Sequence, residues 1–446
     1  MSRTGLAIIL SLMVCIHSHA QCKTDTEIYK DKVSYHVLNI KDYSFEELLN
    51  EGTITASHQL DVLHIPSRNF RFAIKWYIKH HHFSLSKDER RNAIFRAIAF
   101  TYQSITPTGE PTLLSGLVTI PILDGKKPQR MLIYHRLLST LNSIAPSNSL
   151  PIEAILTADN SVCVFPDYYG CGVTEGNPLP FTALNYHARC ATECVLAALD
   201  ILQDNNIVFD PEFYTWNTGY SQAAGFAMAT HRFIETQLPD TLIDRLNIRW
   251  SLCCDGIYSP AKLFETAIMN NNLGSTPAVY LQSMRGLFYS KPKQLDGLSV
   301  HDLLSDNAIE SGIDSILNLQ DNGFWDLYDR LDSRDKSSNP SHYFKSQVMD
   351  TSSVIYKNII SVLKNDDCIT GWQPKSCVVF CHSKNDKTIP YSHSEQVYHH
   401  FSGTGACCFL HSIKFNRSHS ISGFFYFYVL LRYNEQELYN MYTNTK

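Results

Sequence analysis

The sequence predicts an α/β fold: a mostly parallel sheet with helices on both faces and a helical insertion. Three observations carry this. Short β-favouring runs alternate with helical patterns through most of the chain. The alternation stops between Tyr258 and about residue 350. One β-favouring run turns abruptly into a helical stretch at a serine set between small residues, Gly219-Tyr220-Ser221-Gln222-Ala223. With 446 residues, 44% hydrophobic and 18% charged, the chain can bury a large core. One α/β core with an insertion fits this length as well as two or three domains do.

Taken in order, Arg3, the apolar run Gly5–Ile16 and Ser18-His19-Ala20 read as an export signal, with cleavage expected after Ala20. The apolar run is too short to span a bilayer, and Gln21 before Cys22 is the wrong residue for lipid attachment. The expected product is therefore exported, periplasmic or secreted. Residues 21–94 form an N-terminal extension whose 23–90 stretch looks partly helical. Phe95–Pro121 reads as two strands around Pro107-Thr108-Gly109. Arg130–Tyr134 and Ser161–Pro166 are short buried strands, and Tyr186–Gln203 has helical spacing. The strand before Ser221 and the helix Ala224–Glu235 follow. Arg249–Cys254 is a strand ending at Asp255-Gly256. From 258 to 350 the helical patterns Ala261–Asn271, Ser299–Ile309 and Ile313–Arg330 describe a cap or lid over the strand ends. The core resumes over 351–446 with strands at Lys375–Cys381 and Phe409–Phe415, a helix at Glu395–Phe401 between them, and a closing helix Gly423–Glu437.

The chemistry starts at Ser221. A strand that turns sharply into a helix admits only small flanking side chains, and it lifts the serine hydroxyl out of the backbone. Gly219 and Ala223 meet that demand. A second Gly-x-Ser, Gly297-Leu298-Ser299, lacks both the strand before it and the small residue after it. A serine hydroxyl becomes a useful nucleophile only when a base takes its proton and an acid orients that base. Asp386 lies just past the strand Lys375–Cys381 and is the candidate acid. His419, after the last strand and before the closing helix, is the candidate base. His382, His393, His399, His400 and His411 are excluded by position: each falls in the acid loop, in or just before a helix, or inside a strand.

Five segments in the same order resemble a secretory-lipase-type α/β hydrolase, a family of exported serine esterases and lipases. They are Phe100–Ser104 with Thr108–Pro111 and Gly116–Pro121; Phe165-Pro166-Asp167-Tyr168-Tyr169-Gly170-Cys171-Gly172; Gly219-Tyr220-Ser221-Gln222; His382–Pro390, with Ser383 and Ile389 where the family has Gly and Val; and His419 before Gly423. The resemblance implies an α/β-hydrolase fold and the triad Ser221, Asp386 and His419. One departure stands out. The family often has His-Gly-Thr after the strand that here ends at Tyr134, whereas this chain has His135-Arg136-Leu137-Leu138. The oxyanion hole is expected from the backbone amides of Gln222 and, by position, Leu138.

The expected activity is hydrolysis of a small-molecule or lipid carboxylic ester through an acyl-enzyme, with no cofactor. Two alternatives stay open: an exported serine peptidase of the same fold, and a catalytically decayed binding protein on that scaffold. The net charge of −5 and the absence of a basic run argue against a nucleic-acid partner. Cys190 and Cys194 have no second ligand pair at zinc spacing, and His80-His81-His82 lies in a polar segment, so no metal is expected. The 13 cysteines, one of them in the signal, do not lie like a disulfide scaffold; Cys253-Cys254 and Cys407-Cys408 are adjacent pairs. The sequon Asn416-Arg417-Ser418 abuts His419 and is expected to be unused, since a glycan there would crowd the base.

Overall fold

The computed structural model describes residues 33–56, 67–80, 83–136, 145–290, 292–317, 327, 330, 331, 335–413 and 418–432. The signal segment, Cys22, His81, His82, Leu138 and Asn416 lie outside them. Nine strands form one sheet: β1 (Tyr35–Tyr43), β2 (Ile94–Ile105), β3 (Pro111–Ile122), β4 (Arg130–His135), β5 (Ser161–Pro166), β6 (Tyr214–Tyr220), β7 (Ile248–Cys254), β8 (Cys377–Ser383) and β9 (Cys408–Ile413). Their order is β1-β2-β3-β5-β4-β6-β7-β8-β9. β1, β2, β3 and β5 pair antiparallel, and every pairing from β5 through β4 to β9 is parallel.

The helices are α1 (Phe45–Thr55), α2 (Ser67–His80), α3 (Lys87–Asn92), α4 (Leu184–Asp204), α5 (Gln222–Gln237), α6 (Asp240–Leu246), α7 (Pro260–Met269), α8 (Ala278–Ser290), the short α9 (Val300–Leu303), α10 (Asp306–Glu310), α11 (Ile313–Leu317) and α12 (Ser346–Met349), then α13 (Val354–Lys364), α14 (Tyr391–Gly403) and α15 (His419–Arg432). Among the described residues, no helix is long and apolar enough to cross a membrane.

The two-residue period of the strands divides the core between the two faces of the sheet. Met131 and Ile133, Val162 and Val164, and Val378 and Phe380 point to one face, where α4, α5 and α14 pack. Leu132 and Tyr134, Cys163 and Phe165, and Val379 and Cys381 point to the other, covered by α1, α2, the 3₁₀ segment Ile152–Asp159 and α15. Apolar runs buried on both faces are what a parallel sheet requires. A third cluster (Phe264, Leu281, Met284, Phe344, Ile359 and Leu363 among others) is the core of the helical unit, and it also takes in Ile389 of the acid loop.

The 23–90 stretch is partly helical, as read, with α1 and α2 within it, and it also contains β1, an edge strand with a largely exposed face. Two further features differ from or add to the sequence reading. The closing helix starts at His419, four residues earlier than expected, so the candidate base sits in its first turn and not in the loop before it. Cys407 is bonded to Cys377, across the start of β8 and the approach to β9. The register places Val378 opposite Cys408, and so brings Cys377 and Cys407 together.

Candidate active site

Each candidate side chain stands where a parallel strand ends, the edge at which open α/β sheets place their sites. Ser221 follows the last residue of β6, and α5 begins at Gln222. Its backbone has φ +58° and ψ −128°, a region whose cost of about 1–3 kcal/mol persists only where the surroundings enforce it. The enforcement is visible at Gly219, where a Cβ would stand 2.1 Å from the Ala223 carbonyl oxygen. A larger residue there would unwind the turn.

Ser221, Asp386 and His419 come together. Asp386 lies in the loop after β8 and its carboxylate is buried. Its Oδ1 accepts the amide protons of Thr388 (2.8 Å) and Ile389 (3.0 Å). Its Oδ2 accepts from His419 Nδ1 at 2.6 Å. A carboxylate only accepts, so Nδ1 carries the imidazole proton and Nε2 presents a lone pair. Ser221 Oγ lies 2.8 Å from that nitrogen and donates to it. Burial pushes the Asp386 pKa up, but the charges and hydrogen bonds of His419 and His382 outweigh it and hold the carboxyl well below the usual range. Burial pushes the His419 pKa down; the Asp386 carboxylate and, more weakly, Asp255 reverse this and raise it.

His419 is held in place by the strand that leads into Ser221. Tyr220 Oη donates to the His419 carbonyl oxygen, and the two rings lie 5.2 Å apart. Thr218 Oγ1 and Tyr426 Oη meet at 2.7 Å. Gly423 lets α15 approach closely, since a Cβ there would be 3.0 Å from Tyr220 Cε1. Tyr220 was not expected to act; a residue inside an elbow motif carries no sequence signal of this second contact.

The oxyanion region divides. Gln222 is the first residue of α5, where backbone N–H groups have no intrahelical acceptor and the helix dipole favours negative charge. Its side chain donates to the Phe181 carbonyl, tying the start of the helix to the 179–183 loop. Leu138, the other expected donor, lies outside the described residues. The approach to it is fixed: His135 pairs in register with Gly219, its imidazole contacts Asn217 Oδ1 at 2.7 Å and the Tyr168 hydroxyl, and Arg136 lies 3.6 Å from Glu153. On the far side, Ser147 N–H donates to Asp167 at 3.0 Å.

Asp255, which reads in sequence as the turn after a strand, also belongs to this neighbourhood. Among the described residues, Asp255, His382 and Asp386 form the one group whose donor atoms, all within 4.8 Å of one another, could hold a metal. They fit a metal poorly. His382 Nε2 donates to the Ile389 carbonyl at 3.0 Å, while Nδ1 faces Ser394 Oγ at 2.6 Å. The proton on Nε2 occupies the position a metal would need.

The helical unit meets the acid loop directly. Ser275 N–H donates to the Lys387 carbonyl at 2.8 Å, and Thr388 Oγ1 contacts the hydroxyls of Ser275 (2.9 Å) and Thr276 (2.8 Å). On the other side a Cβ at Gly286 would be 2.6 Å from Phe181 N, so α8 rests on the loop that Gln222 holds.

No protein-family model matches the chain, and no curated protein does. Solved structures do. A Legionella pneumophila protein described as a candidate hydrolase is 15% identical, with 90% of this chain and 96% of that one superposed at a TM-score of 0.67. The rice cell wall degrading esterase LipA of Xanthomonas oryzae is 18% identical over 89% of this chain and 95% of its own, at 0.63. Candida antarctica lipase A is 16% identical over 74% and 73%, at 0.55. At these identities the likeness is one of fold: this chain has the α/β-hydrolase fold, in the architecture that the esterase and the lipase share.

Proposed function

We propose that the chain is a serine hydrolase of carboxylic esters, exported, with 258–350 serving as a cap over the site. The observation that carries the reading is the continuous hydrogen-bonded chain from Asp386 Oδ2 through the His419 imidazole to Ser221 Oγ, at 2.6 and 2.8 Å. In this reading Ser221 Oγ attacks the ester carbonyl while its proton passes to His419 Nε2. The imidazolium is steadied by Asp386, and the Gln222 amide faces the developing oxyanion. Nε2 then returns the proton to the leaving alcohol, and water repeats the sequence on the acyl-enzyme. The esterase and lipase among the structural neighbours support this reaction class.

The test is Ser221→Ala assayed on chromogenic short-chain esters, paired with a fluorophosphonate probe and mapping of the modified residue. Loss of turnover by at least a thousandfold, on the scale of a removed triad member, is expected together with labelling at Ser221. Turnover retained by the variant refutes the assignment.

A further inference from the structure

A buried acid stands beside the Ser221–His419–Asp386 chain without being part of it. Asp255 directly follows β7, the strand next to the nucleophile strand, and is fully buried. Its φ of +48° lies in the left-handed region, which suits glycine and is tolerated by few other residues, Asp among them. The pairing of Cys254 with Cys381 brings its carboxyl to the end of β8. Oδ1 accepts the Ser383 N–H at 2.9 Å and lies 3.4 Å from His382 Nε2. Oδ2 is buried and has no hydrogen-bond partner among the described residues. The same His382 nitrogen is 3.4 Å from Asp386 Oδ2, so one imidazole edge separates two carboxyl groups.

A carboxylate buried with an unpaired oxygen is costly unless a positive charge faces it. Burial raises the Asp255 pKa, and the groups that oppose it are His382 and His419, with the Ser383 amide weaker; Asp386 acts in the same direction as burial. The other titratable groups nearby, Tyr220, Cys254 and Tyr258, are kept neutral by burial. His382 is committed to Ile389 and Ser394. A carboxylate oxygen of Asp255 lies within 4.8 Å of one of Asp386, and Asp386 bonds His419 Nδ1 at 2.6 Å, so the cation that forms beside this pair of acids in the proposed reaction is the His419 imidazolium.

We propose that Asp255 is a positioning residue for the base: a second buried carboxylate, behind Asp386, that stabilises the His419 imidazolium when Ser221 gives up its proton. This rests on the serine-hydrolase reading given above. Asp255→Asn removes the charge and keeps an acceptor for the Ser383 amide. Asp255→Gly removes the side chain and relieves the backbone.

The decisive measurement is an NMR titration of His419, in protein with isotopically labelled histidine and Ser221→Ala, which is independent of turnover. Removing a negative charge makes the imidazole a weaker base. Its midpoint should therefore fall by about one unit in both Asp255 variants, a modest charge–charge interaction at an effective dielectric of about 20. In the Ser221 enzyme the acid limb of kcat/KM should move down by the same amount, with kcat reduced roughly tenfold and KM unchanged. A midpoint that stays put in whichever variant folds overturns the proposal. A midpoint that falls in a protein whose Ser221 form cleaves no ester sinks the functional reading and leaves the electrostatic role of Asp255 standing.

Discussion

Asp386→Asn tests the orientation of the base with little change in shape. Both partners of Asp386 Oδ1 are amide donors, Thr388 N at 2.8 Å and Ile389 N at 3.0 Å. In the variant the side-chain oxygen must stay with them, and the new NH₂ group then faces His419 Nδ1. The imidazole can meet a donor only by moving its own proton to Nε2, where it points at Ser221 Oγ and cannot accept the serine proton. Restoring the productive tautomer means turning the amide over and leaving two buried N–H groups unpaired, at about 1–3 kcal/mol each. A penalty of roughly 2–6 kcal/mol brackets the ~5 kcal/mol that corresponds to a ten-thousandfold loss. The assay is kcat/KM on a chromogenic ester, with the fluorophosphonate labelling rate and thermal unfolding in parallel. The midpoint of unfolding should hold, because both amide bonds survive. Asp386→Ala should lower it, because both are lost. A well-folded Asp386→Asn enzyme that retains a tenth of wild-type kcat/KM would refute the argument.

Tyr220→Phe removes the hydroxyl that holds the His419 carbonyl; kcat should fall about tenfold with KM unchanged and about 1 kcal/mol of stability lost, read by kinetics and denaturant unfolding. His419 must be neutral to accept the serine proton, and its pKa is raised. The rising limb of kcat/KM against pH should accordingly lie above about 6.5, the unperturbed imidazole value. Cys377 and Cys407 close a loop of separation 30, so Cys377→Ser with Cys407→Ser should cost about 3–4 kcal/mol by equilibrium unfolding. Activity at room temperature should hold, because the bond lies at the opposite end of β8 from Ser383 and the acid loop.

Much of this arrangement could be read from the order of the residues. The parallel half of the sheet is written as apolar runs, because strands buried on both faces have little polar choice. Ser221 stands out because its turn demands small neighbours at Gly219 and Ala223. Asp386 and His419 follow from the strands they succeed. What was missed depends on partners distant in sequence. β1 (YHVLNIKDY) exposes polar and apolar side chains alike, Leu38 and Ile40 among them, so no clean alternation marks it, and it is a strand because β2 supplies its ladder. The helix start at His419 is set by docking onto Tyr220 and Thr218, neither of which is nearby in the chain. Asp255 reads as a turn until β7 is laid against β8. The Cys377–Cys407 bond needs the β8–β9 register, which no spacing rule supplies.

The stitching of Ser275 and Thr276 to the acid loop at Lys387 and Thr388 has a practical bearing on engineering. A chimera that exchanges the 258–350 segment for a foreign one would cut the seam that sets the height of Asp386. Grafts meant to change substrate preference should keep residues 274–276 from this chain; a graft that omits them would alter the carboxylate's reach to the imidazole along with the shape of the roof. The first quantity to inspect in such a hybrid is the titration of its histidine, ahead of its selectivity.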